Sequence, residues 1–413
     1  MSAAAPPTSP PRRRALTTIF VTVLLDLVGF GMILPLLPFY AQELRASAFE
    51  IGLLFSSYSL AQLVFAPLLG RLSDRTGRRP VLLASIGGSV AAYLLFTAAD
   101  SFAVLVLSRT LAGVAAANYA IAQAYVADVS SREHRAKAMG LIGAAFGVGF
   151  VLGPALGGLL AHLGAGTVLG ARIVPLSAAV LSAVNLVIAF AWLPESLSAE
   201  LKGISRQGSW LDFRDLRAAW RDAPLRGLML LFFLVIFCFS MMEATLALFC
   251  QARFGYGELQ TAFLFVFVGV VLVVVQGGLL GRLVKRFGER GLILTGIVLM
   301  AAGLILLPLT PASRPLAGAA LVLLLGSLAL LAVGQGMNQP STLGLLSRLT
   351  ADSAQGGTIG LSRSFGALAR TLGPAAGTWI FGAAGTGWPF WTAGGLMLVA
   401  LALAVSVLRK VSL

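Results

Sequence analysis

The sequence has few charged residues for its length. Only 11% of the chain is Asp, Glu, Lys or Arg, and acidic residues number 16 among 413. Soluble globular proteins carry about 25% charged residues, so this composition excludes an ordinary water-soluble domain. Hydrophobic residues make up 58% of the chain, and that excess indicates a protein of the lipid bilayer.

Cysteine and histidine are almost absent, with two of each. Cys238 and Cys250 are twelve residues apart in one apolar run, about 18 Å along a helix, so they cannot bridge each other. His134 and His162 lie at or near predicted loops, and neither has a nearby Cys or His that would complete a metal-ligand set. We therefore expect two small core cysteines and no metal site.

Signatures of catalysis are also missing. The sequence contains no GxxxxGK loop for nucleotide phosphates, which argues against ATP hydrolysis. The apolar segments hold no pairing of a nucleophile with a base. The sequence therefore predicts a protein that is not an enzyme and that uses no cofactor.

Positive charge is in excess, with 30 Lys and Arg and a formal net charge of +14. Most of these residues lie in alternate segments between the apolar runs, and only Arg45, Arg172, Arg253 and Arg314 fall in the intervening loops. That alternation is the positive-inside pattern of multi-pass membrane proteins. It predicts that both termini are cytoplasmic and argues against nucleic acid as a partner.

Twelve apolar segments reach the roughly 20 residues that a membrane-spanning helix needs. They cover residues 16–40, 49–70, 80–99, 102–125, 137–161, 173–193, 225–250, 260–281, 289–309, 316–345, 357–383 and 388–408. The first run lacks a small-residue cleavage site, so it is predicted to be a span rather than a signal peptide. Residues 1–14, rich in Pro, Ser, Ala and Arg, are predicted to be a disordered cytoplasmic lead.

One long polar stretch, residues 194–224, divides the chain into a first half (residues 15–193) and a second half (residues 225–413). Within it, residues 210–220 place apolar side chains at helical spacing with arginines between them. This pattern predicts an amphipathic helix on the cytoplasmic surface. A solvated linker is the alternative.

The two halves contain matching features. Three of them recur at nearly one offset: GRL at 70–72 and 281–283, GP at 153–154 and 373–374, and an acidic residue at Asp26 and Glu243. Because the three are independent, the sequence predicts two pseudo-symmetric six-helix bundles.

Four motifs carry a family resemblance: GRLSDRTGRRP at residues 70–80, LDLVGFGMILPLLP at 25–38, LSRTLAG at 107–113 and GAAFGVGFVLGPALGG at 143–158. Over essentially the whole chain they resemble the major facilitator superfamily, and most closely its drug and proton antiporters of the tetracycline-exporter type. The resemblance implies an all-α membrane protein with twelve transmembrane helices in two six-helix bundles. LSRSFGALARTLGP at residues 361–374 is also similar to vertebrate tetracycline-transporter-like proteins associated with organic anions.

Asp26, Glu243 and Arg109 are the candidate proton-coupling residues. Burying an ionised carboxylate in an apolar span is costly, which favours protonation near physiological pH, as proton coupling requires. Glu243 can alternatively contact a cationic substrate or pair with an arginine. Arg109 stays charged and must meet acceptors inside the bundle, and the resemblance implies that it influences a nearby acid. A purely structural role stays open for each.

Candidate substrate-binding residues are amides and an arginine in predicted spans 4, 10 and 11. Amides are expensive against lipid and useful as hydrogen-bonding groups, although helix packing can also explain them. Arg363 and Arg370 lie two turns apart and suggest an anionic substrate or a carboxylate partner, with Arg363 close enough to the surface to snorkel. The predicted binding set is Asn118, Gln123, Gln335, Asn338, Gln339 and Arg370.

The basic loop and the end of span 4 supply a candidate conformational latch. The resemblance implies that it holds the outward-facing state and breaks on inward opening, with topology determination by loop charge as the alternative. The second copy of the loop has Lys285 where the first has Asp74, so any latch is asymmetric. The predicted latch residues are Gly70, Asp74, Arg75, Gly77, Arg78 and Asp128.

Small residues at helical spacing mark span 5. They allow this helix to approach the opposite half closely, and its proline permits bending. A seam of this kind can seal one side of a cavity. The residues concerned are Gly149, Gly153, Pro154, Gly157 and Gly158.

The sequence thus predicts a proton-coupled secondary transporter that exports amphipathic, tetracycline-like small molecules by alternating access. Its expected setting is the bacterial inner membrane, and its expected partners are the substrate, protons and lipid, with the chain acting as a monomer. An organic-anion carrier of the same fold, indicated by Arg370, is the main alternative. A non-transporting membrane receptor is a further one.

Overall fold

The computed structural model describes residues 12–130, 135–197, 220–313, 316–350 and 355–410. The regular structure of these residues is entirely helical. Those of the first half are α1 (Arg12–Ile33), α2 (Leu37–Glu43), α3 (Ala48–Thr76), α4 (Arg78–Thr97), α5 (Phe102–Ala116), α6 (Asn118–Val129), α7 (Arg135–Gly164) and α8 (Ile173–Trp192). Those of the second half are α9 (Ala223–Phe254), α10 (Glu258–Val273), α11 (Leu280–Leu306), α12 (Gly318–Leu349), α13 (Gln355–Ala384) and α14 (Trp388–Lys410).

Ten stretches of the described helices are long and apolar enough to cross a membrane. One of them, Glu258–Leu309, is 52 residues long and covers two of the twelve predicted spans. Helix α13, predicted as a span, is not among the ten, because its arginines, serines and glycines lower its hydropathy. The all-helical, multi-pass class is therefore confirmed, and the number of twelve spans stays a prediction.

Two predicted spans are interrupted. The first breaks between α1 and α2 at residues 34–36, where Pro35 and Pro38 remove backbone donors from the helical ladder. The fourth breaks at Ala117, between α5 and α6. The second break lies next to a predicted site residue, since Asn118 is the first residue of α6.

Two predictions concern polar segments, the N-terminal lead and the linker between the halves. Helix α1 begins at Arg12, inside the lead that the sequence predicts to be disordered, since arginine has a high helix propensity. The predicted amphipathic helix lies outside the described residues except for Trp220. The Trp220 ring stacks on Phe365 of α13, with 6.0 Å between the ring centroids.

Within each half, helices pack backbone to backbone at the repeated GP motif. A Cβ atom added to Gly153 of α7 would lie 2.7 Å from the Cα of Gly31 in α1. A Cβ added to Gly373 of α13 would likewise lie 2.8 Å from the carbonyl oxygen of Phe237 in α9. Glycine is required at both places because any side chain would collide with main-chain atoms. The two copies of the motif therefore form equivalent α1–α7 and α9–α13 contacts.

The seam predicted between span 5 and the opposite half is only partly right. Gly149, Gly153 and Gly157 face α1 in their own half, where added Cβ atoms would meet Leu27, Gly31 and Met32. Gly158 does face the other half, against Ala262 of α10. The difference arises because a helix has more than one face, and residues at 149, 153 and 157 share one that points at α1.

The two halves pack closely against each other through α3 with α13 and through α7 with α10. Ser56 Oγ of α3 donates a hydrogen bond to the carbonyl oxygen of Thr371 in α13, at 2.6 Å. A Cβ added to Gly269 of α10 would lie 3.0 Å from the carbonyl oxygen of Phe150 in α7. A cavity lies between the two halves and reaches the basic loop at Gly70.

We expect Gly153→Ala to lower the thermal stability of the purified protein, because its methyl group would force α1 and α7 apart. Overpacking of this kind costs about 1–3 kcal/mol. Gly143→Ala on the same helix is the matched control, since a Cβ there meets no atom within 4 Å. Equal melting temperatures for the two variants would contradict the close approach.

Candidate functional site

A cavity of about 1580 Å³ lies between the first and second halves. Its walls carry many aromatic side chains, including Phe30, Tyr58, Phe150 and Phe239. Gly70, Thr350 and Thr358 line its open end. The volume exceeds the roughly 300–1,000 Å³ of an enclosed small-molecule pocket, because this cavity is open to one side.

Asp26 of α1 lines the cavity and is held by neutral donors. Asn118 Nδ2 donates to Asp26 Oδ2 at 3.0 Å, and Ser89 Oγ donates to Asp26 Oδ1 at 3.4 Å. No described cation lies within 4 Å of this carboxylate. The break at Ala117 allows Asn118 to reach Asp26, so the predicted substrate ligand Asn118 also positions the predicted proton site.

Arg109 of α5 lies in the cavity wall with only 2% of its surface exposed. Its guanidinium carbon lies 4.8 Å from the ring centroid of Tyr58, and its Nε atom has no hydrogen-bond partner among the described residues. A desolvated cation–π contact contributes about 2 kcal/mol. The Tyr58 ring is therefore an aromatic partner of this buried cation. No carboxylate of the described residues lies within ion-pair distance of Arg109.

Glu243 of α9 and Arg370 of α13 line the opposite wall. The two side chains interact electrostatically without forming an ion pair within 4 Å. Tyr58 lies within electrostatic range of both Arg370 and Arg109.

The predicted amides have different surroundings. Gln335 and Gln339 line the cavity. Asn338 does not, because it is fully buried and donates through Nδ2 to the carbonyl oxygen of Ile293 at 3.2 Å. Its predicted substrate contact is therefore corrected to a packing role between α11 and α12.

Gln123 joins the two halves beside the cavity. Its Oε1 accepts a hydrogen bond from a guanidinium NH of Arg363 in α13. Arg363 lines the cavity, whereas Gln123 is not among the residues that line it. The predicted substrate contact of Gln123 is therefore replaced by a bridge from α6 to α13.

Arg78 organises the predicted latch. Its guanidinium group contacts Asp74 at 2.6 Å, Asp128 at 3.2 Å and Ser73 Oγ at 2.6 Å. These acceptors all belong to the first half, and Arg75 is exposed nearby. The cluster is intact although Gly70, at the same end of the molecule, lines the open mouth of the cavity. The role of this cluster as a conformational latch stays a prediction.

Glu195 completes this cluster and was not predicted from the sequence. Its carboxylate accepts from the backbone N–H groups of Arg78, at 2.9 Å, and Arg79, at 3.3 Å. It therefore satisfies free donors at the positive N-terminal end of α4. Gly77 adopts a φ of 113° beside the carboxylate, where any Cβ would collide with it. The loop glycine is required for this cap.

The second half has a counterpart with reversed charges. Arg78 and Asp128 correspond, at the repeat offsets of 211 and 220, to Glu289 and Arg348. Arg348 Nε lies 3.3 Å from Glu289 Oε1. The ends of two equivalent helix pairs are thus joined by ion pairs of opposite polarity.

Together these features define a class of protein. A multi-pass helical chain whose two halves enclose an open cavity with a buried charge in each wall has the architecture of a secondary transporter. The chain belongs to the major facilitator superfamily, whose family model matches residues 19–326 and 277–412. The matching relatives are transporters, and the chain is a transporter rather than an enzyme, as the sequence predicts.

Relatives of two kinds are similar to this chain. Tetracycline resistance protein, class C, from Escherichia coli is 33% identical and covers 91% of each sequence. Human major facilitator superfamily domain-containing protein 10 is 31% identical over 94% of this chain and 92% of its own length.

Solved structures agree with this assignment. The crystal structure of the human organic anion transporter MFSD10 covers 96% of this chain and 100% of that one, with 29% identity and a TM-score of 0.71. The crystal structure of the nucleoside transporter NupG covers 96% of this chain and 100% of that one, with a TM-score of 0.74. At 12% identity that likeness concerns the fold alone.

We expect Arg78→Lys to destabilise the protein, because an ammonium group cannot bond Asp74, Asp128 and Ser73 in the geometry of a planar guanidinium. Leaving these acceptors unmatched should cost about 1–3 kcal/mol. Thermal unfolding measures the effect, with the exposed Arg75→Lys as the control. A loss of stability in R75K equal to that in R78K would argue against the cluster.

Proposed function

We propose that this transporter is a proton-coupled exporter of amphipathic small molecules. In this proposal twelve spans form two six-helix bundles, with both termini in the cytoplasm and the chain acting as a monomer in a bacterial inner membrane. The relationship to tetracycline resistance proteins supports export. The aromatic lining of the cavity suits a greasy substrate with few fixed polar contacts.

The observation that carries proton coupling is the presence of one carboxylate in each wall of the cavity. Asp26 belongs to the first half and Glu243 to the second, and both line the space that a substrate would occupy. Carboxylates inside a membrane protein are expensive and commonly mark proton pathways. Protonating either one changes the charge of the cavity, and with it the relative free energy of the two openings.

The proposed energy source for transport is proton movement down the membrane potential. Moving one proton charge across the membrane potential provides about 2.3 kcal/mol per 100 mV. Arg109, stacked on Tyr58 in the wall of the same cavity, supplies a fixed positive charge there. We propose that Asp26, Glu243 and Arg109 together couple proton uptake to the change of opening.

The structure is open at the end that carries the basic loops. By the positive-inside rule this end is cytoplasmic, so the conformation corresponds to the inward-facing state of the proposed cycle. Substrate would enter from the cytoplasm or the inner leaflet. Rocking of the two halves about the seams at Gly269 and Ser56 would then expose it to the other side.

Carriage of organic anions is the second candidate. Arg370 lines the cavity without an ion pair within 4 Å to a described residue, so it can accept an anionic group. The similarity to the human organic anion transporter supports this alternative. The two candidates differ in substrate charge, and the same experiment separates them.

The test is substrate-induced proton release from purified protein, measured with cationic, zwitterionic and anionic drugs. We expect Asp26→Asn and Glu243→Gln to abolish or strongly reduce the release, because neither amide can titrate. Asp100→Asn is the control, since Asp100 is exposed in the loop between α4 and α5.

Release from wild type with anions only would favour the organic-anion carrier. If D26N and E243Q both released protons as wild type does, coupling through these acids would be ruled out.

A further inference from the structure

Three amide side chains line the second-half wall of the cavity. Gln335 and Gln339 of α12 line it, as does Gln276 in the π-helical turn Val274–Leu279 that joins α10 to α11. Helix α12 touches this turn directly, since a Cβ on Gly336 would lie 3.0 Å from Cγ1 of Val275. We call Gln276, Gln335 and Gln339 the amide patch.

Gln335 carries an unused acceptor. Its side chain is 6% exposed, and its Oε1 atom is buried without a hydrogen-bond partner among the described residues. Buried amide oxygens in folded proteins are nearly always hydrogen-bonded, since an unmatched one carries a desolvation penalty. Because Gln335 lines the cavity, a turn of its terminal amide, whose torsion is broad, would present this oxygen to a donor of a molecule in the cavity and remove that penalty.

The π-turn has a definable origin in the repeat. At the start of α3, the Glu50 side chain accepts a hydrogen bond from the backbone N–H of Ser47. At the start of α10, the Gln260 side chain accepts one from the backbone N–H of Gly257. These two equivalent bonds are 210 residues apart in sequence. The following GRL motifs are 211 apart. The second copy therefore holds one more residue, and a π-turn accommodates it within the helix.

The extra residue and the amides make the second-half wall of the cavity chemically different from the first-half wall. At the offset of 210, Gln276 corresponds to Ala66, which also lines the cavity. At the offset of 220, Gln335 and Gln339 correspond to Ala115 and Tyr119. The first half has no amides at these three positions, and its own lining amides, Gln62 and Asn118, lie elsewhere on its wall, so the two walls present different polar groups to a ligand.

We propose that the amide patch is the subsite for a hydrogen-bond donor of the ligand, an N–H or O–H group on an amphipathic ring system, and that Gln335 Oε1 accepts this bond. The inference rests on the proposed function in one respect, because the ligand is taken to be the transported substrate. The aromatic side chains of the cavity would hold the apolar part of the same molecule.

The test uses two pairs of fluorescent probes that differ only by N-methylation. Rhodamine 123 and tetramethylrhodamine methyl ester are the cationic pair, and 2-anilinonaphthalene-6-sulfonate and its N-methyl derivative are the anionic pair. Binding to the purified full-length protein is measured at fixed pH without a gradient. In at least one pair, we expect wild type to bind the N–H member about five- to tenfold more tightly, the effect of one matched hydrogen bond.

The variant Gln335→Met keeps the side-chain length and removes the acceptor. It should abolish the preference, leave affinity for the N-methylated probes unchanged and melt no lower than wild type without ligand. Gln42→Met, on α2 and away from the cavity lining, is the control that should retain the preference. A wild type without preference, a Q335M that retains it or fails to fold, or no binding of any probe would overturn the proposal.

The two proposals fail separately. Loss of probe discrimination together with normal proton release would remove the amide subsite and leave proton coupling standing. Discrimination without proton release would keep the subsite and remove proton coupling.

Discussion

Contact between helix backbones at glycine is the constraint on which this structure depends. Lipid offers no hydrophobic drive for one apolar helix to join another, so close packing has to supply the attraction. Gly153 against Gly31, and Gly373 against Phe237, bring main chains to distances that no side chain would allow. Contacts just as close join the two halves, since a Cβ added to Gly52 of α3 would lie 2.8 Å from the carbonyl oxygen of Pro374 in α13. The cavity lies between the two halves on the side away from the closest of these contacts.

Each charged side chain inside this apolar framework has a specific neighbour that stabilises it. Asp26 has two neutral donors, Arg109 has an aromatic face, and Glu243 and Arg370 have each other at longer range. None of these arrangements is a close ion pair, which would hold both charges in one state. Weakly matched charges in a cavity respond to a proton or a substrate, and this is the physical basis of the proposed coupling.

The two halves share a plan but differ in chemistry. Equivalent helix ends are joined by Arg78 with Asp128 and by Glu289 with Arg348, so the polarity is reversed. One inserted residue creates a π-turn in the second half alone and brings Gln276 to the cavity. A symmetric framework suits rocking between two openings, whereas the unequal walls allow the cavity to bind an unsymmetrical molecule.

Several features were readable from the sequence because they depend on local composition. Low charge and long apolar runs determined a helical membrane protein, the repeated motifs pointed to the family, and Asp26, Glu243 and Arg370 stood out as charges in apolar surroundings. Glu195 gave no such signal, because a glutamate in a polar linker is ordinary until the fold brings it to the N-terminus of α4.

Tertiary structure alone decided which predicted residues share the cavity. Gln335 and Asn338 are three residues apart on one helix, yet Gln335 lines the cavity and Asn338 is bonded to Ile293. Sequence spacing determines which residues share a face of a helix. Which face meets the cavity, a neighbouring helix or lipid depends on how all the helices pack, because that packing satisfies or exposes each polar group.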